Sequence, residues 1–160
     1  MNGWENFFIA EVGASAALLG LIFVAVSINL TRILSIPSLP NRAPLTLIIL
    51  LTILVVSSLL LVPGQSLTLI GIELLVLGLI VWIIATMLDV SILQTTERKY
   101  RLPYMVNLVL TQLALLPYII AGISVLTRGA AGLYWLVPAI VISFIKAILD
   151  AWVLLVEINR

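Results

Sequence analysis

The chain is a succession of apolar runs, each about 20 residues or longer, joined by short polar connections. Wound as a helix, a run of that length spans the hydrocarbon core of a bilayer, which is about 30 Å thick. Only 9% of the residues are charged and 63% are apolar. A water-soluble domain carries roughly 25% charged residues to cover its surface. The expected fold class is therefore all-α, a polytopic membrane protein forming one transmembrane domain over residues 1–160. A closed barrel is a poor fit, because barrel strands alternate polar and apolar residues and these runs do not.

The punctuation between runs predicts five transmembrane helices, at about residues 7–30, 44–62, 66–93, 103–126 and 133–158. Pro37, Pro40 and Pro44 crowd the first connection. Pro44 suits the first turn of a helix, where its missing N–H would have no partner anyway. Pro63-Gly64-Gln65-Ser66 reads as a tight turn, with Ser66 placed to cap the third span. Arg128-Gly129 closes the fourth. Arg32, Arg42, Arg98, Lys99, Arg101 and Arg160 all fall on one side of a five-span chain, and Arg128 alone falls on the other. Cytoplasmic connections retain Lys and Arg, so the N-terminus is expected outside and the C-terminus in the cytoplasm. Trp4, Tyr100, Tyr104, Tyr134 and Trp135 sit near the predicted interfaces, where amphipathic rings are favoured.

Composition removes several chemistries. There is no Cys, hence no disulfide or thiolate metal site, and no His. A net charge of +1 offers no basic field for nucleic acid. The first residues carry Glu5 and no Lys or Arg before a long apolar run, unlike a cleavable signal peptide. No cofactor, metal or nucleic-acid partner is expected.

Polar residues inside the runs are the candidates for function, because an ionisable group in lipid is costly and needs a partner. In the first span Gly13, Ala16, Ala17 and Gly20 share one helical face, where small side chains allow another backbone to approach closely. Glu11, Ser15 and Asn29 lie on roughly the opposite face. In the fifth, Lys146 and Asp150 are four residues apart and so face the same way, with Ser143 and Glu157 on that stripe. Lys146 falls near the midplane, where an unpaired ammonium costs at least about 2.5–3.5 kcal/mol. The third span contributes Glu73 and Asp89, about 160° apart around the helix. Glu73 and Glu11 are expected at similar depth, where a meeting would create a shared proton or a cation site. Asp89 is expected to reach the interface or meet Arg98. Asn107, Thr111, Tyr118 and Gly122 form a stripe on the fourth span, interrupted by Pro117. Packing alone accounts for several of these features: a structural ion pair for Lys146–Asp150, interhelical hydrogen bonds for the Asn107 stripe. Ser143 and Lys146 are three residues apart, superficially like a serine–lysine pair, but that spacing alone is weak evidence of catalysis.

The segment Glu11-Val12-Gly13-Ala14-Ser15-Ala16-Ala17-Leu18-Leu19-Gly20, continuing to Leu30, resembles a family of small multi-spanning bacterial membrane proteins labelled modulators of FtsH protease. Leu39-Pro40-Asn41-Arg42-Ala43, Leu61-Val62-Pro63-Gly64-Gln65-Ser66 and Gly71-Ile72-Glu73-Leu74 carry the same resemblance, which covers about the first half of the chain. It implies a prokaryotic cytoplasmic membrane and marks Glu11, Asn29 and Glu73 as motif positions. It brings no catalytic residues.

The residues favour a non-enzymatic role. The first expectation is a small homo-oligomeric ion channel or transporter whose intramembrane path, set by Glu11, Glu73, Lys146 and Asp150, favours cations or protons. The second is a membrane-embedded regulatory or assembly protein that binds another membrane protein laterally.

Overall fold

The structure, a computed structural model, describes residues 3–35, 39–95 and 101–158. The chain folds as α1 (Glu5–Ile28), α2 (Leu30–Ser35), α3 (Leu39–Leu60), α4 (Leu67–Thr95), α5 (Arg101–Arg128), a 3-10 turn (Gly129–Trp135) and α6 (Leu136–Ile158). There is no strand among the described residues. Four helical stretches are long and apolar enough to cross a membrane: Glu5–Ile28, Arg42–Leu60, Leu67–Gln94 and Arg101–Leu154. The last has 54 residues and contains both α5 and most of α6. As one straight helix it would reach roughly 80 Å. Instead Gly129 adopts φ +66°, the left-handed conformation that ends a helix, and α6 packs back along α5.

Local sequence accounts for most boundaries. Ser66 Oγ accepts the Leu69 N–H at 3.2 Å, the cap expected at the start of α4. Gly64, with φ +75°, supplies the turn before it. Two expectations are corrected. Helix α3 begins at Leu39, so Pro44 lies inside it rather than in its opening turn. Residues 133–135 belong to the 3-10 turn, and α6 starts at Leu136. Asn29 caps the end of α1, its Nδ2 donating to Ala25 O at 2.9 Å.

The long helices run up and down, giving the molecule two distinct ends. Trp4 meets Tyr134 ring to ring at 5.0 Å and lines a depression with Pro63, Gly64 and Gln65, so the α1 N-terminus and both tight turns share the turn end. At the basic end the Arg42 guanidinium lies 4.7 Å from the Tyr104 ring centre, and Ile33, Ala43 and Leu154 form a small buried cluster. Helix α3 is the hub, packing against α1, α4 and α6. The most extensive contact joins α4 and α5. Gly122 makes it possible: a Cβ there would sit 2.7 Å from Leu75 N. Small residues thus bring backbones together here, as expected within lipid, but at α4–α5 rather than on α1. Gly13, Ala16, Ala17 and Gly20 remain exposed, and nothing lies within 4 Å of a Cβ at Gly13 or Gly20.

Candidate functional site

Along the inner stripe of α6, Ser143, Lys146, Ala147, Asp150 and Leu154 are buried, while Val141, Ile145, Ile148, Leu149 and Trp152 point outwards. The apolar outer face suits lipid, and the polar inner face must find partners inside the protein. It does so in layers. Tyr118 of α5 donates to Ser143 Oγ at 3.4 Å, and Ser143 Oγ donates to Ala114 O at 3.5 Å. One turn on, Lys146 Nζ forms an ion pair with Asp150 of the same helix, and the lysine is only 1% exposed. Arg42 of α3 and Asp89 of α4 both lie within electrostatic range of Asp150. Asp89 is itself buried and accepts Asn107 Nδ2 at 3.2 Å. Thr111, one turn from Asn107, is fully buried and donates to the Asn107 carbonyl.

Towards the turn end the column continues to Glu11. Its carboxylate lies within electrostatic range of Tyr118, and Glu11 Oε2 is buried without a hydrogen-bond partner. Ser15, fully buried, returns its hydroxyl to Glu11 O at 2.6 Å. Tyr118, Ser143, Lys146, Asp150 and Asp89 are thus buried polar side chains in the interior of a single protomer, with the half-buried Glu11 towards the turn end. The Ser143 to Asp150 portion alone covers about 10 Å at helical rise.

The structure does not join Glu11 to Glu73. Helices α1 and α4 flank α3 instead of forming a substantial contact with each other. Both Glu73 oxygens accept Gln65 Nε2, at 3.2 and 3.1 Å. Ser143 and Lys146 are likewise turned to different partners, Tyr118 with Ala114 O and Asp150 respectively. Arg98 lies outside the described residues, as does the Glu157 side chain.

Several members escaped the sequence reading. Arg42 looks like a loop cation, yet it stacks on Tyr104 and faces the buried charges. With it the basic-end cluster is balanced, Arg42 and Lys146 against Asp89 and Asp150, rather than acidic. Gln112 bridges α5 to α4, accepting Trp82 Nε1 and donating to Thr86 Oγ1 at 3.2 Å. A polar residue facing an apolar neighbour helix was the available signal for Gln112; nothing in the sequence paired it with Trp82.

Among the described residues no three His, Cys, Asp or Glu side chains converge as a metal site. No family model, curated protein or solved structure matches the chain. Its functional reading rests on this geometry.

Proposed function

We propose that the chain is a five-span protein of a prokaryotic cytoplasmic membrane, N-terminus outside, that relays protons across the bilayer through the polar column inside each protomer. One observation carries this reading: the Lys146–Asp150 pair sits buried near the middle of α6, with a Tyr118–Ser143 layer on one side and an Asp89–Asn107 layer on the other. A pair serving packing alone needs no polar continuation in both directions. Hydroxyls and carboxylates exchange protons, whereas the fixed Lys146 ammonium opposes a free cation at mid-column. The proton is accordingly the favoured species of the two expected from sequence.

Support for the topology is the set of five long helices and the gathering of Arg32, Arg42 and Arg101 at one end, against Arg128 at the other. Support for self-association is the face of α1 that leaves Gly13, Ala16, Ala17 and Gly20 exposed, with open space beside Gly13 and Gly20. The test is flux into liposomes holding the purified protein and a pH-sensitive dye. Wild type should acidify the lumen under an imposed gradient, with Lys146→Met and Asp150→Asn losing about tenfold or more. Parallel potassium, sodium and chloride gradients check selectivity.

The same open face favours a second reading, a regulator that binds another membrane protein laterally, a class that the label of the resembled family, itself of unassigned function, fits. Crosslinking from Gly13 and Gly20 in native membrane distinguishes the two. Hetero-adducts support the regulator, and self-adducts alone count against it.

A further inference from the structure

Four aromatic side chains meet at the turn end. Trp4 stands at the N-terminus of α1, with Phe7 and Phe8 in the first turn after it. Phe8 is buried, and its ring stacks on Trp4 with centres 5.7 Å apart, which fixes the indole against the core. Phe7 meets Trp4 edge to face, at 5.8 Å and 83°. Tyr134, distant in sequence, reaches Trp4 from the 3-10 turn, at 5.0 Å and 73°.

Trp4, Phe7 and Tyr134, together with Gly3, line one depression of about 320 Å³. Two of the rings are steeply inclined to the third, so the space is walled from more than one direction. An interfacial position alone favours each ring singly, with one end wet. It does not require three of them to border a common space. Tyr134 is 68% exposed, so core packing does not account for its place here either. The charge beside the depression is negative. Glu5 is exposed and lines the neighbouring depression, which shares Trp4 with this one. Its carboxylate offsets the positive end of the α1 dipole, which would otherwise repel a cation.

The face of an aromatic ring carries partial negative charge and attracts a cation within about 6 Å of its centre. A hard metal ion needs a shell of oxygen ligands, and three rings supply too few. An alkylated ammonium group needs none, and aromatic cages recognise it. We propose that this depression is a cage for an alkylated ammonium group, such as the trimethylammonium head of choline, with Trp4, Phe7 and Tyr134 as its walls and Glu5 drawing the cation in. The group belongs to a small solute or to a lipid head group, and the chemistry recognised is the same. The inference does not depend on conduction: it holds whether or not protons pass Lys146.

The test uses the whole protein in nanodiscs of phosphatidylglycerol, a lipid without an ammonium group. Tetramethylammonium and choline chlorides are titrated at constant ionic strength, and calorimetry reads binding. Sodium chloride and the neutral isostere of choline, in which carbon replaces nitrogen, are the controls. Both ammonium ions should bind saturably, and the isostere about tenfold more weakly, because it lacks the charge the rings attract. Tyr134→Leu should weaken choline binding about threefold or more and Trp4→Leu about tenfold, as loss of a cage wall predicts. Tyr134→Phe keeps the ring and should keep most of the affinity. Trp152→Leu removes an exposed aromatic close in sequence to Leu154 of the basic end and should change nothing. In phosphatidylcholine discs, weaker apparent binding of free choline shows the lipid head group in the cage, and unchanged binding shows a solute site; both accord with the proposal. No saturable binding of either ammonium ion in phosphatidylglycerol discs overturns it. So does equal binding of the neutral isostere, or wild-type affinity in both Tyr134→Leu and Trp4→Leu. If Trp4→Leu does not fold, Tyr134→Leu decides by the same criterion, because its ring is exposed.

Discussion

Lys146 is the residue whose environment most limits what the protein can be. An ammonium that is 1% exposed survives only because Asp150 is beside it. Removing one partner of a buried pair leaves an uncompensated charge and costs about 3–5 kcal/mol, whereas replacing both with apolar side chains is often neutral. Asp150→Asn should therefore lower the melting temperature of the purified protein strongly, and Lys146→Met with Asp150→Leu should recover most of it. Melting unchanged in the single variant would show the pair to be energetically idle. This pair was legible because helix geometry fixes it: residues four apart face the same way wherever the helix goes. The Ser66 cap was legible for the same reason, since it is settled within three residues. Arg42 was not, because its meeting with Tyr104 joins residues far apart in the chain and depends on how α3 and α5 come together. The hydrogen bond from Asn107 to Asp89 is likewise set by the α4–α5 contact.

Among the elements, α4 with α5 and α1 with α3 show opposite uses of small residues. Gly122 lies against the Leu75 backbone, so Gly122→Ala forces the helices apart and should cost about 1–3 kcal/mol, read as a lowered unfolding temperature. Gly13→Ala and Gly20→Ala meet open space and should not destabilise the protomer. A better helix former in each even favours α1 by up to about 1 kcal/mol. If α1 mediates self-association, these two changes should instead weaken the oligomer, which light scattering of the detergent-solubilised protein reports. The sequence shows the small face of α1 clearly, but a stripe of small residues is the same signal whether its partner is in the same chain or another. Gly122 belongs to the stripe of Asn107, Thr111 and Tyr118, but that the Leu75 backbone lies against it is set only by how α4 and α5 come together. Gln112 offers a smaller effect. Gln112→Leu removes its bonds to Trp82 and Thr86, and polar contacts between spans are worth about 0.6 kcal/mol each on average. A shift of Trp82 emission with only slight loss of stability is the expected result.

For the molecule as a whole, length and hydropathy made the helical membrane architecture plain, while the arrangement of helices around α3 could not be read without tertiary contacts. Orientation can be tested cleanly because the chain has no cysteine. A single cysteine at Arg128 should react with an impermeant maleimide added outside intact cells, and one at Arg32 only after permeabilisation. The reverse pattern would invert the topology. Proton flux through liposomes of known protein content tests transport through the column most directly. Wild type should carry protons above the empty-vesicle rate. The doubly apolar variant, Lys146→Met with Asp150→Leu, should fold with near wild-type stability and carry almost none. Equal flux from the folded double variant and wild type, or no flux from either, would contradict a proton path through the column and leave its charges as packing devices.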